Sequence, residues 1–283
     1  MIPEEKLEPY VETIRKAVIE LYNYLEEECN STSDLILFLE NGHKANMPLP
    51  DHLPYVIGPG EEYHNDKYRV EFYLQYLNSG GKEKHRKLAE QGEIKDLERF
   101  QRFSLFLELM IYSHLWENKK NLRELRQIAR LLNENSYDWE LEVPDYGKSQ
   151  FIDEDIKQVF LNHDLAVGEL FDEIYISQVR NAFAHSEFSF MPNGEAILLG
   201  NYDGTEFKNL KRIEIDHWED IFLKSTIFFH EFLVMKEKKR VELGGKNPTI
   251  EIEMPSEDGE EIRKLDIHWH EEGQAYSFNK PAS

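Results

Sequence analysis

The sequence predicts a mainly α protein: a helical bundle with a β-hairpin insertion, extra N-terminal helices and a small C-terminal β-hairpin. Three observations predict it. Apolar residues recur at i, i+3, i+4 and i+7 along most of the chain, the period of a helix with one buried face. Glycine, proline and asparagine gather where that pattern breaks. The period shortens to alternation only in two late stretches, each folded about a turn sequence, Pro192-Asn193-Gly194 and Asp258-Gly259.

In chain order, Leu7, Tyr10, Val11, Ile14, Val18, Leu21 and Leu25 mark an amphipathic first helix. The stretch STSDLILFLENG reads as a capped second helix that stops at Asn41-Gly42. A Pro- and Gly-rich loop follows, and NDKYRVEFYLQYLNSGG resumes helix until Gly80-Gly81. From Phe103 to Trp116 the next helix is apolar over most of its circumference, which predicts a central or subunit-facing element. NLRELRQIARLLNENS is a shorter amphipathic helix, DWELEVPDYGKS a loop, and IDEDIKQVFLNH and GELFDEIYISQVRNAFAHSE two further helices. FSFMPNGEAILLG predicts a hairpin, LKRIEI a short strand, and DHWEDIFLKSTIFFHEFLVMKEKKR a long helix with Asp216 as N-cap and a basic cluster at its negative end. The segment PTIEIEMPSEDGEEIRKLDIHWH predicts a second hairpin, and the polar residues from Glu271 onward a loose tail. The resulting division is 1–80, an N-terminal helical region; 81–240, a helical domain; and 241–283, a β-hairpin and tail.

Length and composition bound the function. The chain has 283 residues and is 40% hydrophobic, enough for a real core. Its net charge of −22 repels polyanions, so any nucleic-acid function is confined to a local patch. Cys29 is the single cysteine, which excludes an internal disulfide and a cysteine-rich zinc site. No apolar run approaches the roughly 18 residues of a membrane span, and the acidic start is unlike a signal peptide, so a cytoplasmic protein is expected. Glycine-rich phosphate loops, G-x-S-x-G elbows and H-E-x-x-H pairs are missing from the sequence. His268 and His270 share one side of the last strand, but two ligands do not make a metal site. No cofactor or metal is expected.

The most informative stretch is ISQVRNAFAHSEFSF, Ile176 to Phe190. It places Arg180, Asn181 and His185 near the end of an apolar helix. Asn181 and His185 lie about 40° apart around an ideal helix, so the amide can stand below the imidazole on one face. Arg180 comes from the side with a long forked cation that suits phosphate. Helix capping accounts for the same residues, because basic groups near a helix C-terminus are favoured by about 0.3–1 kcal/mol. The bare Arg-to-His spacing also occurs at Arg212/His217 and Arg263/His268, where no Asn follows the Arg. Residues alone leave both readings open.

The stretch VRNAFAHSEF on a late helix resembles the signature of the HEPN superfamily, R-N-x-x-x-H, at Arg180, Asn181 and His185. The resemblance covers about half the chain, from near Gly92 to Arg240. It implies a HEPN-like bundle and a metal-independent endoribonuclease, a toxin or antiviral effector, acting as a homodimer whose two motifs face one cleft. RNA carries its own nucleophile, the 2'-hydroxyl. Cleavage then needs proton transfer, suited to an imidazole that titrates near neutrality, and stabilisation of phosphate charge, suited to Arg180. One His185 cannot readily serve both the 2'-hydroxyl and the leaving 5'-oxygen. Two copies can. The expected products are a 2',3'-cyclic phosphate and a 5'-hydroxyl.

Expected partners are RNA, with tRNA among the substrates to test, a second copy of the chain, and an antitoxin or regulatory protein. Arg123, Arg126 and Arg130, at i, i+3 and i+7, form a cationic stripe that is the candidate RNA contact, although such a stripe is more often a solvated face. Basic clusters at 82–87 and 236–240 are further solvated-face candidates. The alternative function is a non-catalytic HEPN scaffold binding a nucleotide or a partner protein.

Overall fold

The computed structural model describes residues 4–44, 55–58, 75, 87, 90–92, 94–191, 195–200, 211–256 and 261–279. The protein is mostly helical with small antiparallel sheets. The helix expected over NDKYRVEFYLQYLNSGG and the basic cluster at 82–87 lie largely outside the described residues. No helix among the described residues is long and apolar enough to cross a membrane.

Two compact units interleave along the chain, whereas the segments read from sequence are consecutive. The first comprises Met1–Ala17, Tyr68–Asn118 and Val167–Glu231; the second comprises Val18–Lys67, Lys119–Ala166 and Phe232–Ser283. Their boundaries fall inside the first and last helices, α1 (Glu4–Glu28) and α9 (Ile215–Lys246).

The first unit is built around α3 (Ile94–Glu117), α7 (Ala166–Ile174), α8 (Ser177–Ala184) and the N-terminal part of α9. Along α3, Leu105, Leu109, Tyr112 and Trp116 are buried at helical spacing. Trp116 packs edge-on against Phe171 at 5.5 Å and Phe229 at 5.1 Å, and Tyr112 against Trp218 at 5.3 Å. Each buried side chain of this size contributes about 1.5–3 kcal/mol relative to exposure. Glu108 is buried among them and accepts from Trp218 Nε1 at 2.9 Å and Ser104 Oγ at 3.0 Å, so its carboxylate is satisfied. The greasy α3 is not buried all round: Phe103 and Phe106 are 62% and 47% exposed. β3 (Phe188–Phe190), β4 (Ala196–Leu199) and β5 (Arg212–Glu214) form an antiparallel sheet in the order β3-β4-β5, with Phe188 opposite Leu199 and Ile197 opposite Ile213. The hairpin and short strand expected from sequence are therefore one three-stranded sheet. α9 begins at Ile215, so Asp216 sits in its first turn, where a negative charge still suits the dipole.

The second unit holds α2 (Thr32–Leu39), α4 (Lys119–Leu132), α5 (Lys148–Ile152), a π-helical turn (Asp153–Lys157), α6 (Gln158–Asn162), two short paired strands, β1 (His43–Lys44) and β2 (Tyr55–Val56), and a C-terminal sheet. Ser31 caps α2, its Oγ accepting from Asp34 N at 3.2 Å. Leu35 to Leu39 are buried without a break, as in a helix covered on every side. β6 (Thr249–Pro255) pairs with β7 (Ile262–His270) from Thr249–His268 to Pro255–Ile262, and β7 pairs with β8 (Ala275–Ser277). The expected tail thus adds a third strand, held by buried Tyr276 against Trp269 at 5.3 Å. Gly244 of α9 lies so close to the Trp269 ring that a Cβ there would overlap it.

Charge is buried in this unit. Lys236 Nζ lies 2.7 Å and Lys120 Nζ 3.4 Å from Glu124 Oε1, and Arg240 pairs with Glu40 at 3.4 Å and with Glu237 at 2.7 Å. Burial of Glu40 pushes its carboxyl up to about 7, against the opposing pull of Arg240. In the unfolded chain Glu40 ionises near 4.5, so between pH 4.5 and 7 the native state holds a proton that the unfolded state has lost. Its contribution to stability therefore declines as pH rises through that window, by at most about 1.4 kcal/mol per pH unit. Denaturant melts of wild type and Glu40→Gln across pH 4–8 check this: the difference between them should change only inside the window.

Candidate functional site

α8 starts from a main-chain clamp. Tyr112 Oη accepts from Ile176 N at 2.8 Å and donates to Ile174 O at 3.0 Å, tying the helix entrance to α3. Val179 and Ala182 face inward, fully buried. The helix ends at Ala184 with His185 as its C-cap; Ser186 N donates to Phe183 O at 3.1 Å and Glu187 N to Ala182 O at 2.7 Å. This closure requires a left-handed residue, and Ser186 has φ 57°. Ser186→Gly should stabilise the protein by roughly 0.5–1 kcal/mol, because Gly takes that conformation without the Cβ penalty; an unchanged or lower urea midpoint would count against the motif.

The three motif residues differ in setting. Arg180 is 8% exposed, whereas Asn181 and His185 are exposed. Arg180 Nε lies 3.1 Å from Glu117 Oε1, and its Nη2 donates to Asn181 Oδ1 at 2.8 Å. Arg180 Nη1 is buried and has no hydrogen-bond acceptor. Asn181 is thus turned to Arg180, and its amide does not orient the imidazole. Among the described residues no side-chain hydrogen bond holds the His185 ring. The structure brings Arg180 and Asn181 into contact and leaves His185 one turn on, at the exposed rim of the same helix.

Sequence reasoning did not find two neighbours of the motif. Glu117 ends α3 and supplies the counter-charge to Arg180; no periodicity links positions 63 residues apart. Phe106 meets Phe183 at 5.6 Å and Phe188 at 6.0 Å, and Phe183 stacks on Phe188 at 5.4 Å. An aromatic surface therefore flanks the exposed motif residues. The apolar run of α3 was its only signal.

The arginine stripe belongs to the other unit. Arg123 Nη2 donates to Asn41 Oδ1 at 3.3 Å, Arg126 Nη1 to Asp155 O at 2.7 Å, and Arg130 Nη2 to Ser136 O at 3.4 Å. Arg126 also pairs with the Asp155 carboxylate at 3.1 Å. All three guanidiniums are half-buried and tie α4 to its own unit, so they offer polyanions only what those bonds leave over. Lys236 and Arg240, from the C-terminal basic cluster, are buried ion-pair partners. His268 is buried against Thr249 Oγ1 at 3.0 Å, and His270 Nε2 meets Ser277 Oγ at 2.8 Å.

Comparison with protein-family models, with curated proteins and with solved structures finds no match. The functional reading rests on the motif and its setting.

An isolated buried guanidinium with an unmet donor is unfavourable, since a charged group left short of hydrogen bonds loses solvation without compensation. Chemically, that donor fits an anionic oxygen. Exposed His185 can exchange protons with bound molecules or solvent, as imidazoles do near neutral pH.

Proposed function

We propose that the chain is a HEPN-type endoribonuclease that cleaves RNA without a metal ion, by attack of the 2'-hydroxyl on the adjacent phosphate. The observation that carries this reading is the buried Arg180 guanidinium with an unmatched Nη1, on the same helix as exposed Asn181 and His185. In the proposed reaction Arg180 holds non-bridging phosphate oxygens as their charge grows. Asn181 steadies the guanidinium and presents its amide to the ribose. His185 takes the 2'-proton, and His185 of a second copy protonates the departing 5'-oxygen. The 2'-oxygen–phosphorus bond forms as the phosphorus–5'-oxygen bond breaks, leaving a 2',3'-cyclic phosphate and a 5'-hydroxyl. The biological setting we propose is a growth-arresting toxin or antiviral effector held in check by an antitoxin or regulatory protein.

Incubation with total RNA and purified tRNA in EDTA tests the reading. The expected result is cleavage with cyclic-phosphate ends and a homodimer in sedimentation. Absence of cleavage of both substrates overturns it.

A second reading is a non-catalytic HEPN scaffold that binds a nucleotide or a partner protein. The Arg180–Glu117 ion pair favours it, because the guanidinium already has a counter-charge. Overexpression separates the two: toxicity abolished by His185→Ala in a folded protein supports the enzyme, and toxicity indifferent to that change supports the scaffold.

A further inference from the structure

A cleft of about 440 Å³ opens in the second unit at the start of α4, lined by Lys119, Lys120 and Arg123 on one wall and by Leu141, Val143 and Pro144 on the other. That volume is in the range of small-molecule sites. The carboxylates of Glu142 and Asp145 stand at its edge, both exposed, and Asp145 pairs with Lys119 at 2.5 Å.

The cations behind this wall outnumber their counter-charges. Lys120, Arg123 and Lys236 all bear on the single carboxylate of Glu124. Glu124 and Lys236 are 2% and 7% exposed, so bulk water screens this cluster weakly. Lys120 and Arg123 in turn disfavour the charged form of Lys236, the mark of like charges held together. Around Glu124 the formal sum is two positive charges in excess, in a chain whose overall charge is −22. The first turn of α4 contains no acidic side chain to offset them.

We infer that this cleft binds a small phosphorylated organic molecule: Lys119, Lys120 and Arg123 take the phosphate and Leu141, Val143 and Pro144 cover the apolar body. The site is in a different unit from the α8 motif and does not depend on the ribonuclease reading. The long guanidinium of Arg123 and the two ammonium groups suit a dianionic phosphomonoester, and the apolar wall selects against bare inorganic phosphate.

Calorimetric titration of the full chain with AMP, adenosine and inorganic phosphate tests the inference. AMP is expected to bind at least tenfold more tightly than either adenosine or phosphate, more weakly as salt is raised. Lys119→Glu, an exposed reversal that spares the buried cluster, and Arg123→Gln should each weaken AMP at least tenfold; Lys119→Glu carries the test if Arg123→Gln fails to fold. His185→Ala should leave AMP binding unchanged whether or not the protein cleaves RNA. Three results overturn the assignment: no AMP binding at millimolar concentration, adenosine binding as tightly as AMP, or AMP binding that survives Lys119→Glu but is lost in Arg180→Ala.

Discussion

His185→Ala is expected to lower RNA cleavage by about 10²–10⁴-fold, the usual contribution of a positioned general acid or base. Stability should stay within about 0.5 kcal/mol of wild type, as for surface changes away from special features. The reason lies in how α8 ends. The hydrogen bonds that close the helix run from the main-chain nitrogens of His185, Ser186 and Glu187, so they survive loss of the imidazole. The ring is exposed and holds no side-chain partner among the described residues, so its removal opens no cavity. A role confined to helix capping predicts the reverse outcome, a small loss of stability and unchanged cleavage. Mixed dimers sharpen the test. If two imidazoles serve one phosphodiester, pairing a wild-type subunit with a His185→Ala subunit should abolish nearly all turnover; half the wild-type rate would mean that each subunit works alone.

Glu124→Gln should destabilise the protein by about 3–5 kcal/mol, the range for breaking a buried ion pair by removing one partner. The carboxylate is nearly free of solvent, and two ammonium groups lie within 3.4 Å of the same oxygen. Burial alone would raise its pKa. Lys120, Lys236 and Arg123 outweigh burial and hold it down to about 2, so Glu124 is ionised at every ordinary pH. The sign follows: the native carboxyl is the stronger acid, so its contribution is complete above the unfolded value near 4.5 and fades as pH falls towards 2. Urea unfolding of Glu124→Gln at pH 7 measures the effect, and adding Lys236→Met should recover part of it by removing the stranded cation. A loss below 1 kcal/mol would mean that water reaches the cluster.

Much of the fold is legible in the sequence where one face of an element is buried. Ile14, Val18, Leu21 and Leu25 are all buried at the spacing that marks α1, and Ser31 caps α2 through a hydrogen bond its sequence position anticipates. Two-residue strands are not legible, because His43–Lys44 and Tyr55–Val56 are too short to show a period. β8 was hidden for another reason: three residues with one buried tyrosine look like a polar tail until β7 supplies the partner edge. The motif was legible as a pattern, and its inner logic was not. Helical geometry sets Asn181 beneath His185, yet a charged donor one residue away attracts the amide oxygen more strongly than a neutral ring. Glu117 and the phenylalanines reach α8 only through tertiary packing. The arginine stripe had the opposite fate: its spacing is real, but its cations find acceptors within their own unit.

The interleaving of the two units has a consequence for how the polypeptide matures. A ribosome releases Met1–Ala17 first, but the unit that receives it also requires Val167–Glu231, so neither body completes its contacts while early segments are emerging. Such long-range closure slows folding and leaves apolar helices such as α3 uncovered meanwhile. The nascent protein is accordingly a natural client for chaperones, and severing it between α4 and α5 should yield two fragments that fold only when mixed.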